Sequence, residues 1–286
     1  MTNYRVDKGV FYIPEDAPEL PEQPGWKNER WYRAILNTVV SVLRLQGLKF
    51  YVNGLENMPA DGPVLVAGNH IGYYDFVTGA LPGLLRGRRA TRYMAKKELF
   101  DHWLVGKAAR GAGQIEVDRS RGADSVDKAI ERLTDSDEVV GIFPEGTLAR
   151  SFELEEFKTG AARIAKASGA TLIPSVSWGT QRIWAKRGKV EMGRTKYPII
   201  TNIGPAVSTE GSHEEITARL KDAMQVLLDA AREEYNDRFG PFPEGLDWMA
   251  ASMGGSAPTV EEAKVLDQRE KAERKNRKER KKRKKG

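Results

Sequence analysis

The sequence offers three short stretches whose side chains are fit for acid–base or anion chemistry. The first is Asn69-His70-Ile71-Gly72-Tyr73-Tyr74-Asp75. Imidazole exchanges protons near neutral pH. It works best when an acceptor on its second ring nitrogen fixes the tautomer and steadies the imidazolium as it forms. Asp75 is the candidate acceptor. On a continuous α-helix two residues five apart point about 140° away from one another, so the pair cannot share a helix face. His70 is therefore expected on a loop after a strand, with Asp75 in the first turn of the next helix and Gly72 easing the fold-back. The remaining histidines, His102 and His213, are read as surface or packing residues.

The second stretch is Phe143-Pro144-Glu145-Gly146-Thr147. At a strand end, an acid beside a glycine can accept substrate hydroxyls and let backbone N–H groups approach a phosphate. The string Phe242-Pro243-Glu244-Gly245 repeats four of these letters in a loop-like region with no strand before it, and is read as coincidence. The third element is cationic: Arg119 follows an apolar segment, and Arg150 and Lys158 follow the Glu145 turn. In a parallel sheet, strand-end positions converge on the carboxyl edge, where Arg is suited to bidentate phosphate contacts.

These residues need a scaffold that aligns strand ends. Strands are predicted at Leu48–Val52, Val64–Ala67, Arg92–Ala95, Gln114–Val117, Val139–Phe143, Thr171–Ser177, Lys189–Met192 and Ile199–Ile203, with helices at Tyr74–Leu85, Gly122–Leu133 and Thr159–Ser168. The alternation predicts an α/β fold with a mostly parallel central sheet flanked by helices. Short apolar runs such as Val64–Ala67 suit strands covered on both faces. A helix over Asn28–Gly47 carries a broad apolar face (Trp31, Ile35, Val39, Val42, with Leu36, Val40, Leu43) and ends on Gly47. It must bury that face against core or lipid. A long helix is predicted from His213 to Phe239, capped by Ser212.

The expected organisation is an extended arm over 1–26, a domain over 27–240, and a loop with a basic helical or disordered tail over 241–286. The domain comprises the amphipathic helix at 27–47, the motif core at 48–205 and the long helix at 213–239.

Charge follows the same division. The 286 residues carry 46 basic and 40 acidic side chains, a net +6. Arg269–Lys285 alone holds 12 basic against 3 acidic, leaving 34 against 37 over residues 1–268. The body is mildly acidic, so no specific nucleic-acid partner is expected. The absence of cysteine excludes thiolate nucleophiles and Cys-ligated metal, and three scattered histidines have no ligand-like spacing, so no metal is expected. No stretch reaches the ~20 apolar residues of a membrane span.

His70 with Asp75, Gly113-Gln114-Ile115-Glu116-Val117-Asp118-Arg119, Phe143–Thr147 and Leu172-Ile173-Pro174 resemble, in order, the four sequence blocks of the glycerolipid acyltransferases, the 1-acylglycerol-3-phosphate acyltransferase family. Phe157-Lys158-Thr159-Gly160 also resembles the family downstream of its third block, and the likeness covers about residues 50–205. It implies a His70 general base oriented by Asp75, deprotonating an acceptor hydroxyl that attacks a fatty-acyl thioester. By the same resemblance Arg119, Glu145, Gly146 and Thr147 hold the glycerol phosphate. No bound cofactor is implied; acyl-CoA or acyl-carrier protein is the co-substrate and a lysophospholipid the acceptor. No acyl-enzyme is implied either, in keeping with the missing cysteine and missing Gly-x-Ser-x-Gly elbow.

Two positions depart from the family pattern. Leu148 stands where Arg is common, with Arg150 and Lys158 as replacements, and Glu116 takes a usually apolar place. The acceptor is therefore either lysophosphatidate or another lysophospholipid or glycolipid. Readings outside this activity are a non-catalytic membrane- or RNA-binding protein that works through its tail, and a hydrolase. The amphipathic helix, the Leu81–Arg89 stretch and the basic tail match an anionic membrane surface. The expectation is a cytoplasmic protein, peripheral on the inner face of the cell membrane.

Overall fold

The structure, a computed structural model, describes residues 3–117 and 122–283. In chain order its elements are β1 (Tyr4–Asp7), β2 (Phe11–Pro14), α1 (Arg30–Gln46), β3 (Lys49–Asn53), β4 (Val64–Gly68), α2 (Asp75–Thr78), α3 (Leu81–Leu85) and β5 (Thr91–Lys96). There follow α4 (Lys97–Phe100), α5 (Trp103–Gly111), β6 (Ile115–Val117), α6 (Gly122–Thr134), β7 (Val139–Ile142), α7 (Gly160–Ser168) and β8 (Thr171–Trp178). The chain continues through β9 (Pro198–Ile203) and α8 (His213–Phe239) to α9 (Val260–Arg283).

Among the described residues nine strands form one sheet, in the order β1-β2-β3-β9-β8-β4-β7-β5-β6. Only the β1–β2 and β8–β9 pairs run antiparallel. The expected α/β class, a mostly parallel sheet flanked by helices, is what the structure contains. In its interior, between β8 and β7, lies β4, whose five residues are all buried. Leu65 and Ala67 pack into one core with Ala129 of α6, Ile164 of α7 and Met224 and Leu228 of α8. Val64 and Val66 pack into the opposite core with Val40 and Leu43 of α1 and Leu81 and Leu84 of α3. A strand covered on both faces has no polar side to show, which explains its uninterrupted apolar run.

Local chemistry sets the helix ends. Gly47 caps α1 at φ +72°, donating its N–H to the Arg44 carbonyl 2.9 Å away. Ser212 opens α8 in a reciprocal box: the Glu215 N–H donates to Ser212 Oγ at 3.2 Å, and the Ser212 N–H donates to Glu215 Oε2 at 2.7 Å.

Several expectations are corrected. The first residues are not an extended arm: β1 and β2 form a hairpin at the sheet edge, because Phe11 and Ile13 alternate inward while the prolines come at and after residue 14. The helix expected over Tyr74–Leu85 is broken into α2 and α3. Pro82 lacks the N–H that would continue the ladder, so a new helix starts there instead. Lys189–Met192 is irregular, since β8 and β9 already have partners on both sides and leave it no free edge. The helices α4 and α5 went unpredicted because Leu99, Trp103 and Leu104 face outward and leave no inward apolar stripe. The tail is helical, and its first half packs on the body through Ala263 and Asp267 rather than standing wholly in solvent.

The turn after β8 tolerates little change. Gly179 sits at φ +111°, and a Cβ there would lie 2.5 Å from the Pro198 carbonyl oxygen. Gly179→Ala should cost about 2 kcal/mol or more. Thermal unfolding should show a melting temperature lower by about 5 °C; an unchanged midpoint would mean that the turn absorbs the side chain.

Candidate active site

The carboxyl ends of β4, β7 and β8 meet at one point because these strands are neighbours in matched register. Ala67 pairs with Ile142 of β7 and with Pro174 of β8, so the residues that follow emerge side by side. His70 leaves the end of β4 and Asp75 opens α2, as the spacing required. His70 Nδ1 lies 3.1 Å from Asp75 Oδ2. The same oxygen accepts the N–H groups of Ile71, at 2.6 Å, and Gly72, at 2.7 Å. The other oxygen accepts the Thr180 hydroxyl at 2.5 Å. A carboxylate that is only 1% exposed is thus fully partnered.

Gly72 serves this arrangement by size rather than by turn geometry. A Cβ on it would stand 2.9 Å from the backbone of Thr180, the neighbour that must approach to reach Asp75. Thr180 was missed in the sequence. The signal was available, since it follows β8 just as His70 follows β4.

The imidazole is held from other directions too. Its ring stacks on Phe143 at 4.2 Å with 14° between planes, and meets the edge of Phe76 at 5.6 Å. The turn after β7 grips its backbone twice: the His70 N–H donates to Glu145 Oε1 at 3.1 Å, and the His70 carbonyl accepts the Ala149 N–H at 2.7 Å. With Nδ1 committed to Asp75, the free edge of the ring is Nε2, and His70 lines a cavity of about 590 Å³.

The cavity lining includes the apolar side chains of Tyr93, Met94, Val117, Ile142 and Ala161, and it carries Thr147, the cations Lys158, Lys186 and Lys271 and the acids Asp267 and Glu270. Gly141 leaves room for Tyr93, because a Cβ there would come within 2.4 Å of the Tyr93 ring. Tyr93 lies parallel to Phe143 at 5.9 Å and donates its hydroxyl to the Phe76 carbonyl at 3.0 Å. Burial pushes its phenol well above the ordinary range.

Not every expected binding residue faces this space. His70, Gly146, Thr147 and Lys158 line the cavity, with Asp75 directly behind His70. Glu145 is turned inward. Its second oxygen accepts the Glu155 N–H at 3.4 Å, so both carboxyl oxygens face backbone N–H groups. Arg150 is drawn to α9, where its Nε donates to Asp267 Oδ1 at 2.5 Å and a second nitrogen pairs with Glu270. Leu148 is on the cavity wall. Arg119 lies outside the described residues. Among the described residues no cluster of three or more His, Asp or Glu side chains is placed to hold a metal ion.

A second cavity, of about 320 Å³, opens at the opposite rim, lined by Arg88, Arg89 and Arg92. Those cations are already spent: Arg88 on Asp7, Arg89 on the carbonyls of Pro59 and Asp137, Arg92 on Glu29.

The family model described as Acyltransferase matches residues 49–178. A 1-acyl-sn-glycerol-3-phosphate acyltransferase of Bacillus subtilis is 34% identical over 167 residues, 56% of this chain and 79% of that protein. The human 1-acyl-sn-glycerol-3-phosphate acyltransferase alpha is 28% identical over 215 residues, 74% of this chain and 72% of that one. Among solved structures, the 1-acyl-sn-glycerophosphate acyltransferase of Thermotoga maritima superposes with a TM-score of 0.56, at 23% identity, over 76% of this chain and 81% of its own.

Glu145 generates a prediction about pH. Burial raises its carboxyl from 4.5 to about 8, outweighing the two amide hydrogen bonds that favour the charged form. The folded state then binds a proton that the unfolded state has already released, so stability should fall as pH rises from about 4.5 to about 8. Glu145→Gln stays neutral at every pH and keeps an acceptor for His70. Its melting temperature should change less between about pH 5 and about pH 9 than that of the wild type. Parallel curves would mean that the wild-type carboxyl is charged in the fold.

Proposed function

Since this chain belongs to the glycerolipid acyltransferase family and is an O-acyltransferase, we propose that it transfers a fatty-acyl group from a thioester to 1-acylglycerol-3-phosphate, giving phosphatidate. The thioester is acyl-CoA or acyl-carrier protein. The observation that carries this reading is the His70–Asp75 pair at 3.1 Å, its imidazole on the wall of a cavity lined by both apolar side chains and lysines.

The chemistry follows from that geometry. The acceptor hydroxyl approaches Nε2 of His70, which takes its proton as the oxygen attacks the thioester carbonyl. Asp75 holds the proton on Nδ1 and stabilises the imidazolium. The tetrahedral intermediate collapses with loss of the thiolate, which takes the proton back from His70. The products are the new ester and a free thiol, and the histidine ends neutral. Tyr93, Met94 and Ile142 on the lining suit an acyl chain, and the lining lysines Lys158 and Lys186 suit the acceptor's phosphate.

The substrates reside in bilayers, and the outer surface supports a peripheral location on the inner face of the cell membrane. Trp31, Val42 and Leu45 of α1 are exposed along one helix row, beside exposed Trp103 and Leu104 of α5. Such rows suit insertion at the headgroup boundary. No described helix is long and apolar enough to cross a membrane.

His70→Ala should lower kcat for lysophosphatidate acylation by about 10²–10⁴, the usual share of general acid–base catalysis, while leaving the circular dichroism spectrum that of a folded protein. Thioester consumption with and without acceptor checks both this role and the alternative of hydrolysis. A panel of lysolipids tests the acceptor: transfer only to phosphate-free glycolipids would overturn the lysophosphatidate assignment. Full activity in His70→Ala would overturn the mechanism.

A further inference from the structure

Two cations at the cavity already hold an anion. Asp267 of α9 is 9% exposed and lies between two cations: Oδ1 accepts from Arg150 Nε at 2.5 Å and from Lys186 Nζ at 2.7 Å, and Oδ2 lies 2.8 Å from the same Nζ. One turn on, Glu270 takes a second nitrogen of Arg150. Lys186, Asp267 and Glu270 share the cavity wall with His70. An anion held by an Arg and a Lys beside the catalytic imidazole is what an acceptor's phosphate would be. Here the anion belongs to the protein itself.

The helix that delivers this carboxylate is held chiefly by charge. Among its described side chains only Ala263 and Asp267 are buried, with Val260 and Glu270 half-buried, while Val265 and Leu266 face solvent. Little apolar area is lost if α9 lifts away, and the places of Asp267 and Glu270 on Arg150 and Lys186 can be taken by another anion. The partner for that exchange is written into the same helix. The sequence from Lys271 to Lys285 places 11 basic residues against 2 acidic ones immediately beyond the acidic anchor. A segment of that charge is drawn to an anionic bilayer and not to a neutral one.

We propose that α9 is an autoinhibitory strap, in which the Asp267 carboxylate occupies an anion subsite formed by Arg150 and Lys186 until the basic half of the helix binds an anionic bilayer and withdraws it. The proposal rests on the lysophosphatidate reading for the identity of the displaced ligand, a phosphate monoester. It makes the phosphate subsite available only at the surface where the acceptor resides.

Two measurements on the full-length chain test it. The first is acyl transfer to a monomeric short-chain lysophosphatidate without vesicles, with phosphatidylcholine vesicles and with phosphatidylglycerol-containing vesicles. Anionic vesicles should raise wild-type kcat/KM about tenfold and neutral ones should not. The Asp267→Asn/Glu270→Gln variant should show the raised rate without vesicles and gain nothing further from them. A variant no faster than wild type in the absence of vesicles, or slower, would overturn the strap.

The second measurement does not depend on activity. Because the chain has no cysteine, Glu156→Cys with Gln268→Cys accepts a single spin-label pair across the contact. Their separation should lengthen with phosphatidylglycerol-containing vesicles and stay fixed with phosphatidylcholine vesicles or with glycerol 3-phosphate alone. An unchanged distance in vesicle-bound protein, or lengthening by glycerol 3-phosphate without vesicles, would overturn the membrane-driven release. If no sample transfers acyl groups to lysophosphatidate, the acceptor assignment falls and the distance still decides the strap.

Discussion

The buried carboxylate of Asp75 is the constraint around which the rest is organised. It satisfies four donors at once: the His70 ring nitrogen, the amides of Ile71 and Gly72, and the Thr180 hydroxyl. Burying such a group without partners would cost several kcal/mol, and the four donors together offset that cost. Two of the donors lie in the loop leaving β4, and the third is the histidine itself. The fourth comes from the turn after β8, over a hundred residues later. The interaction therefore ties the ends of two neighbouring parallel strands together and sets the direction of the imidazole in the same act.

β7 completes the frame from the other side. Its following turn fastens the His70 backbone through Glu145 and Ala149, and its Phe143 ring lies flat beneath the imidazole. Glu145 thereby resolves an apparent contradiction. A carboxyl next to a cationic cavity invites assignment as a ligand contact, yet here burial holds it towards the neutral form and its oxygens face amides. A neutral carboxyl can sit near Asp75 without the repulsion that two buried carboxylates would otherwise feel.

Much of this was legible in the sequence, and the limits are physical. Continuous apolar runs identified β4 and β7 because strands covered on both faces have no polar alternation. The impossibility of a shared helix face at a spacing of five put His70 on a loop and Asp75 at a helix start, where both are found. What could not be read is which way a side chain turns. Glu145 and Arg150 were chosen for charge at a strand end, but whether such a group meets solvent, backbone or another chain segment is decided by tertiary neighbours. The Arg150 partners lie 117 and 120 residues away on α9, which local spacing cannot reveal. Outward-facing apolar helices such as α5 are missed for a related reason, since periodicity is interpreted as burial and their apolar residues are not buried.

The replacement of the family's Arg by Leu148 acquires a meaning from this geometry. Leu148 lies on the cavity wall and is itself buried, so the position contributes apolar contact where a guanidinium would have supplied charge. The charge is relocated, not lost. Lys158 stands over Gly146, whose missing Cβ leaves the ammonium its room, as a Cβ there would lie 3.0 Å from Nζ. Arg150 and Lys186 form a second cationic pair facing α9. A fixed guanidinium deep in the wall would bind an anion regardless of where the protein is. Cations that pair with acidic residues of α9 make anion binding depend on the position of that helix. In the proposed reaction the substitution at 148 thus changes when a phosphate can be held as much as how tightly, and the acidic face of α9 is its natural complement.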